Sequence, residues 1–259
     1  GVWRGDVDRE SARTMLATAG YADPDELVST LTRVRTSTRY LQLPALSQQR
    51  FDALVPSLLR VSSDEEVPGV APQTVFLRLL ALLETVSRRS AYLALVIEHP
   101  PLLPRLAQLM GASQWATDFL IQHPILLDEL LDARVLLAEP DWSAWRRELA
   151  ANLAHHVGDQ EGQMDALRHF QHAQAFRLLA QDIAGTLTVE RLADHLSALA
   201  DTILDATLKA VWAQMRGADA PPPRFAVIGY GKLGGKELGY ASDLDIVFIY
   251  DDAGDDTAP

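Results

Sequence analysis

Apolar residues recur every three to four positions along most of the chain, the spacing of helices that bury one face. The most regular stretch follows Thr188. There Leu192, Leu196, Leu199, Ile203, Leu208, Val211, Trp212 and Met215 share a face, predicting a helix of about 40 Å at 1.5 Å per residue. Left alone, that face would meet water, so it must lie along other helices, and a bundle follows. Asp23-Pro24-Asp25-Glu26 combines an N-cap, a proline at the first helical position and two first-turn carboxylates ahead of Leu27, Leu31 and Val34. Asp8 to Thr18 and Ser47 to Leu59 read as further helices, with Pro56 an irregularity in the second, and residues 61–73 read as a loop or linker. From Thr74 one face carries Val75, Leu79, Leu82, Leu83 and Val86, and the pattern runs on through Leu95 and Val96 to His99-Pro100-Pro101. Shorter pieces follow from Leu102, Ser113 and Pro124. Asp141 then caps a segment with Trp142, Trp145, Leu149 and Leu153, and a long helix is predicted over 164–183.

The pattern changes at Gly217-Ala218-Asp219-Ala220-Pro221-Pro222-Pro223, where three successive prolines cannot continue a helix. Beyond it, Phe225 to Ile228 has the continuous apolar character of a buried strand, GYGKLGG is a glycine-rich turn, and the stretch from Leu244 to Tyr250 becomes continuously apolar. The expected order is strand, glycine turn, short helix, strand. The expected organisation is a helical segment over 1–70, a central helical bundle over 71–218, a proline-rich linker over 219–223 and the beginning of an α/β domain over 224–259.

Composition narrows the possibilities. The chain has 259 residues, 48% of them hydrophobic, enough for one or two cored domains. With 23 Lys and Arg against 35 Asp and Glu the formal charge is −12, which disfavours nucleic acid as a bulk partner but leaves room for a local nucleotide site. The absence of cysteine removes disulfides, thiolate metal sites and cysteine nucleophiles. With no apolar run of membrane-spanning length and no signal-peptide pattern at the start, the expectation is a soluble, cytoplasmic protein without membrane contact.

Residues 229–251 carry the chemistry. Asp243 and Asp245 stand two apart on the predicted strand, which projects both carboxylates from one face and turns Leu244 and Ile246 toward a core. Crowded carboxylates repel unless a cation lies between them, and a hard divalent ion such as Mg²⁺ suits their oxygens. Gly234 and Gly235 precede Lys236-Glu237-Leu238, so their backbone is expected to approach a ligand and present N–H groups at a helix start, with Lys232 either a nearby cation for phosphates or a solvated lysine. Each piece has an ordinary structural explanation; their order in one short segment is more specific. A paired carboxylate argues against the single ribose contact of a dinucleotide fold, and Leu233 after Gly231-Lys232 excludes a Walker A loop. Elsewhere His169 and His172, with Arg168, Gln171 and Asp182 near them, read as a polar helix face because no third metal ligand has suitable spacing. The tryptophans read as packing.

GYGKLGGKELGY with Ser242-Asp243-Leu244-Asp245 after it resembles the nucleotidyltransferase signature of the glutamine synthetase adenylyltransferases, the bifunctional adenylyl-transferase/adenylyl-removase family. Residues 90–132 and 167–187 are similar to that family's helical middle region, and the likeness extends from about Arg88 to Asp251. The resemblance implies a mainly α chain: a helical bundle followed by the first strand–helix–strand part of a polymerase-β-like nucleotidyltransferase domain. It implies AMP transfer from ATP to a tyrosine of glutamine synthetase, with Asp243 and Asp245 as catalytic metal ligands for Mg²⁺, Gly234 and Gly235 cradling the phosphates, Ser242 supporting the carboxylates or touching phosphate, and a PII-type signal protein as a further partner. A helical region ahead of the signature points to the transferase half. The removase half, or a helical interaction module with no catalytic role, are the alternatives. The superfamily uses a third acidic residue on a later strand, and Asp251, Asp252, Asp255 and Asp256 do not look like that strand. The resemblance therefore implies a truncated chain, incomplete for catalysis alone.

Overall fold

The computed structural model describes residues 1–217 and 220–251, so Ala218 and Asp219 of the expected linker and the acidic tail with Asp252, Asp255 and Asp256 lie outside the described residues. The protein is mainly helical, with a small antiparallel sheet of two strands. It divides into two compact units, Gly1–Ala133 and Arg134–Pro259.

The first unit contains α1 (Arg9–Thr18), α2 (Pro24–Arg35), α3 (Thr38–Leu41), α4 (Ala45–Asp64), α5 (Pro72–Val86), α6 (Ser90–Glu98), α7 (Leu102–Ala112) and α8 (Gln114–Gln122), closed by a 3₁₀ turn over Pro124–Leu130. The helix starts follow their side-chain chemistry: Asp8 accepts from the Ser11 N–H and Asp23 from the Glu26 N–H, both at 2.9 Å. Phe51, Phe76, Leu79, Leu106, Met110 and Leu120 are buried at the centre. Two expectations are corrected. The helix containing Pro56 is unbroken and runs to Asp64, because Val61 and Ser62 belong to the buried face. The apolar pattern from Val75 to Val96 is divided between α5 and α6: the Ser87 hydroxyl and N–H both turn back to the Glu84 carbonyl, at 2.7 and 3.4 Å, and compete with helix continuation.

In the second unit, after a short turn α9 (Ala133–Leu136) at the division, three long helices pack on one another: α10 (Trp142–His155), α11 (Gln160–Ile183) and α12 (Val189–Arg216). Asp159 caps α11 by accepting from the Gly162 N–H at 3.0 Å, so the helix begins a turn earlier than its apolar pattern. Trp145, Leu149, Leu153, Phe170, Ala175 and Leu199 form one core cluster. Buried Gln181 donates to the Leu136 and Ala138 carbonyls at 3.2 and 2.9 Å, satisfying backbone at and just beyond the end of α9. The apolar face of α12 is buried only as far as Thr202, leaving Val211 and Met215 exposed. Trp212, expected in packing, donates its indole N–H to the Pro221 carbonyl at 2.8 Å and ties the proline stretch to its helix.

The chain then forms β1 (Phe225–Gly229), the one-turn α13 (Gly231–Gly234) and β2 (Ile246–Tyr250). The strands pair antiparallel in the register Phe225↔Tyr250 to Gly229↔Ile246. Their apolar character predicted burial, yet Phe248 is 57% and Tyr250 69% exposed, because no described residue covers that face. Among the described residues no helix is long and apolar enough to cross a membrane.

His195 gives this unit a pH dependence. Its Nδ1 accepts from the Trp142 indole N–H at 3.2 Å, which places the ring proton on Nε2, 3.7 Å from Glu139. Burial lowers its pKa, against a smaller opposite pull from Glu139 and a further lowering from Arg191. The folded state thus binds fewer protons than the unfolded one, so stability is complete above the unfolded value of about 6.5 and declines as pH falls through it. Urea melts between pH 8 and pH 5 are expected to show that decline, and His195→Gln is expected to flatten part of it. An unchanged slope in the variant contradicts the assignment.

Candidate active site

Two leucines seat the glycine segment on the helices. Leu233 and Leu238 enter a buried cluster with Leu178 of α11 and Leu187, Leu192 and Leu196, and Tyr240 and Ile246 pack at its edge. The segment is therefore built on the helical unit, while its strands remain largely open.

The glycines play other parts than their spacing predicted. The short helix is Gly231–Gly234, so Gly234 and Gly235 lie at its end and not ahead of the next helix. Their N–H groups donate to the Tyr230 and Gly231 carbonyls, both at 3.0 Å. Those amides are spent, which corrects the expectation that they present donors to a ligand. The turn closes with the Glu237 N–H on the Lys232 carbonyl at 2.7 Å and the Lys236 N–H on the Leu233 carbonyl at 3.2 Å, the double bond of a Schellman motif. Lys236 takes the left-handed position at φ 55°, where a residue with a Cβ costs about 1–2 kcal/mol relative to its usual conformations. Gly234 is required by close packing, since a Cβ there would lie 2.5 Å from the Gly229 carbonyl oxygen. Gly231 has φ +53°, and a Cβ on it would strike the Asp245 carboxylate.

That contact brings the two halves of the motif together. Asp245 has its carboxylate against Gly231, and its backbone carbonyl accepts from the Tyr230 N–H at 2.8 Å. Asp243 and Asp245 are in the irregular segment just before β2 and not within it, and both are exposed. Leu244, expected to face a core, is 40% exposed, whereas Ile246 does pack on the leucine cluster. Ser242 works locally: its Oγ accepts from the Gly239 N–H at 2.9 Å, and its own N–H donates to the Gly239 carbonyl at 3.1 Å. Lys232 is exposed on α13, beside the turn.

A cavity of about 370 Å³ opens between α12 and the turn, with Asp201, Leu204 and Asp205 across from Val227, Leu233 and Gly234. Asp201 and Asp205 give it an acidic wall, which by itself disfavours a polyphosphate. Tyr240 and Asp182 were not singled out as site residues by the sequence. The Tyr240 hydroxyl donates to Asp182 Oδ2 at 3.0 Å, and burial, with Asp182 beside it, pushes the phenol pKa far above its ordinary value. No local pattern links two residues 58 positions apart. Among the described residues no three His, Asp or Glu side chains come together as a metal site.

The class of protein comes from sequence matches. Its relatives are adenylyltransferases, which are enzymes. The profile of the glutamate-ammonia ligase adenylyltransferase family matches residues 103–258, and the chain belongs to that family. Among curated relatives called bifunctional glutamine synthetase adenylyltransferase/adenylyl-removing enzyme, the protein of Chromobacterium violaceum is 53% identical over 247 residues, covering 95% of this chain and 27% of the relative. That of Neisseria meningitidis serogroup B is 49% identical over 250 residues, covering 96% of this chain and 27% of the relative. The Ralstonia nicotianae protein is 45% identical over 262 residues, covering 100% of this chain and 27% of the relative. The chain thus spans about 27% of the length of these relatives.

Proposed function

We propose that this chain provides a helical region and the first part of the nucleotidyltransferase site of an enzyme that transfers AMP from ATP to a tyrosine of glutamine synthetase. The observation that supports this most directly is the seating of the Asp245 carboxylate on Gly231, which joins a glycine turn to an Asp-x-Asp pair in one place. In this reading the segment from β1 to β2 begins a polymerase-β-like domain, and the open face of its sheet is consistent with further strands. Helices ahead of the signature favour the transferase half over the removase half.

The donor set fits Mg²⁺. Asp243 and Asp245 offer hard oxygen ligands, both are exposed, and neither carboxylate has a hydrogen-bond or ion-pair partner among the described residues. When bound, Mg²⁺ supplies neutralisation of charge on the phosphate oxygens. The chain's own residues orient. Asp245 is fixed to the turn through its carbonyl and Tyr230, and Lys232 adds a positive charge near the phosphates. Gly234 and Gly235 contribute close backbone approach instead of donors; helix geometry leaves the N–H groups of Gly231, Lys232 and Leu233 without intrahelical acceptors. Ser242 holds the turn that leads into Asp243. In the reaction the tyrosine oxygen bonds to the α-phosphorus, its proton is released, and the bond to the bridging oxygen breaks to release pyrophosphate. A PII-type signal protein belongs to the same reading as a regulatory partner; no residue of this chain is assigned to it.

Calorimetric titration of Mg·ATP into the full-length enzyme tests the site. Asp243→Asn combined with Asp245→Asn is expected to abolish metal-dependent ATP binding and to lower AMP transfer by at least about a thousandfold, since both charges that hold the metal are lost. Binding that survives the double change favours a helical interaction module and overturns the reading.

A further inference from the structure

Asp243 and Asp245 are fixed by different parts of the protein. Asp245 is referred to the glycine turn, through the Tyr230 N–H on its carbonyl at 2.8 Å and the seat of its carboxylate against Gly231. Asp243 follows a compact turn closed in both directions between Gly239 and Ser242, at 2.9 and 3.1 Å. Tyr240 lies inside that turn, half-buried at the edge of the leucine cluster, and its hydroxyl reaches α11 at Asp182 Oδ2, 3.0 Å away. A displacement of Asp182 is therefore carried through Tyr240 and one closed turn to Asp243, while Asp245 stays with Gly231.

We infer that Asp182, acting through Tyr240, is a positioning residue that sets the separation of the Asp243 and Asp245 carboxylates and with it the affinity for a divalent cation between them. The inference rests on the reading of those two aspartates as metal ligands. A carboxylate acceptor makes the tether stronger than a neutral one, since hydrogen bonds to an ionised partner are roughly twice as strong. The phenol, its pKa raised by burial, remains a donor at every working pH. Helix α11 is thus connected to the metal ligands by a path that a shift of the bundle would alter.

The test is Mn²⁺ binding to the full-length enzyme, followed by electron paramagnetic resonance, together with the Mg²⁺ dependence of AMP transfer. Tyr240→Phe keeps the ring and removes the tether; Asp182→Ala removes it from the other side; Asp182→Asn keeps an acceptor. The first two are expected to weaken Mn²⁺ binding about tenfold and to raise the Mg²⁺ requirement equally, with kcat at saturating Mg²⁺ within about threefold of wild type. Asp182→Asn is expected to restore most of the affinity. Unchanged Mn²⁺ affinity in Tyr240→Phe, or equal losses in Asp182→Asn and Asp182→Ala, overturns the inference. The Asp243→Asn, Asp245→Asn double variant separates the two failures. If it abolishes Mn²⁺ binding while Tyr240→Phe leaves it intact, only the tether is wrong; if it binds Mn²⁺ normally, the metal reading falls and the tether's role falls with it.

Discussion

Gly234→Ala is expected to lower AMP transfer by the full-length enzyme by at least about a hundredfold while the helices remain folded, because positional errors near 1 Å carry penalties of that order. The added Cβ would sit 2.5 Å from the Gly229 oxygen, closer than such atoms approach in folded proteins, and 3.1 Å from its carbonyl carbon. Neither side can yield easily. Gly229 is paired with Ile246 across the sheet, and the Gly234 N–H is bound to the Tyr230 carbonyl. The strain is relieved only by opening the turn, which displaces Tyr230 and the Asp245 carbonyl attached to it. Transfer rates measured beside far-UV circular dichroism separate the outcomes. A variant with intact helices and near-normal transfer shows that the turn can shift without moving Asp245, and contradicts the account.

What could be read in the sequence follows the range of the forces involved. Helix starts depend on neighbouring residues, and Asp23-Pro24, Ser113 and Asp141 do cap helices as their side chains predict. The strand–turn–strand order after the prolines was also readable, because glycine and proline restrict the backbone locally. Apolar periodicity was less informative about where a helix ends: the division at Ser87 depends on one hydroxyl's competition for a carbonyl, which leaves the spacing of leucines unchanged. Within the site, Gly234 and Gly235 were expected to approach a ligand, whereas the close approaches are those of Gly231 to Asp245 and Gly234 to Gly229, which are matters of geometry. The expected glycine turn is itself the short helix, and it uses the amides of Gly234 and Gly235 internally. Asp182 read as one polar residue on a helix face. Its bond to Tyr240 arises only when α11 passes beneath the motif.

The leucine cluster beneath that motif makes stability and site geometry separable by a second substitution. Leu178 is fully buried, on α11, against the same cluster that receives Leu233 and Leu238. Leu178→Ala removes buried methyl groups and leaves a cavity that the rigid helices fill only partly, at a cost of about 2–5 kcal/mol. For a unit of this size the thermal midpoint should fall by about 10 °C. The turn hydrogen bonds and the Asp245 seat are untouched, so transfer measured well below the midpoint should stay within a fewfold of wild type, while inactivation on warming accelerates. Gly234→Ala reverses the pattern, losing transfer with little change in the midpoint. If Leu178→Ala instead leaves the midpoint unchanged, Leu233 and Leu238 are not packed on α11. The glycine turn would then lack the helical support from which Asp243 and Asp245 take their positions.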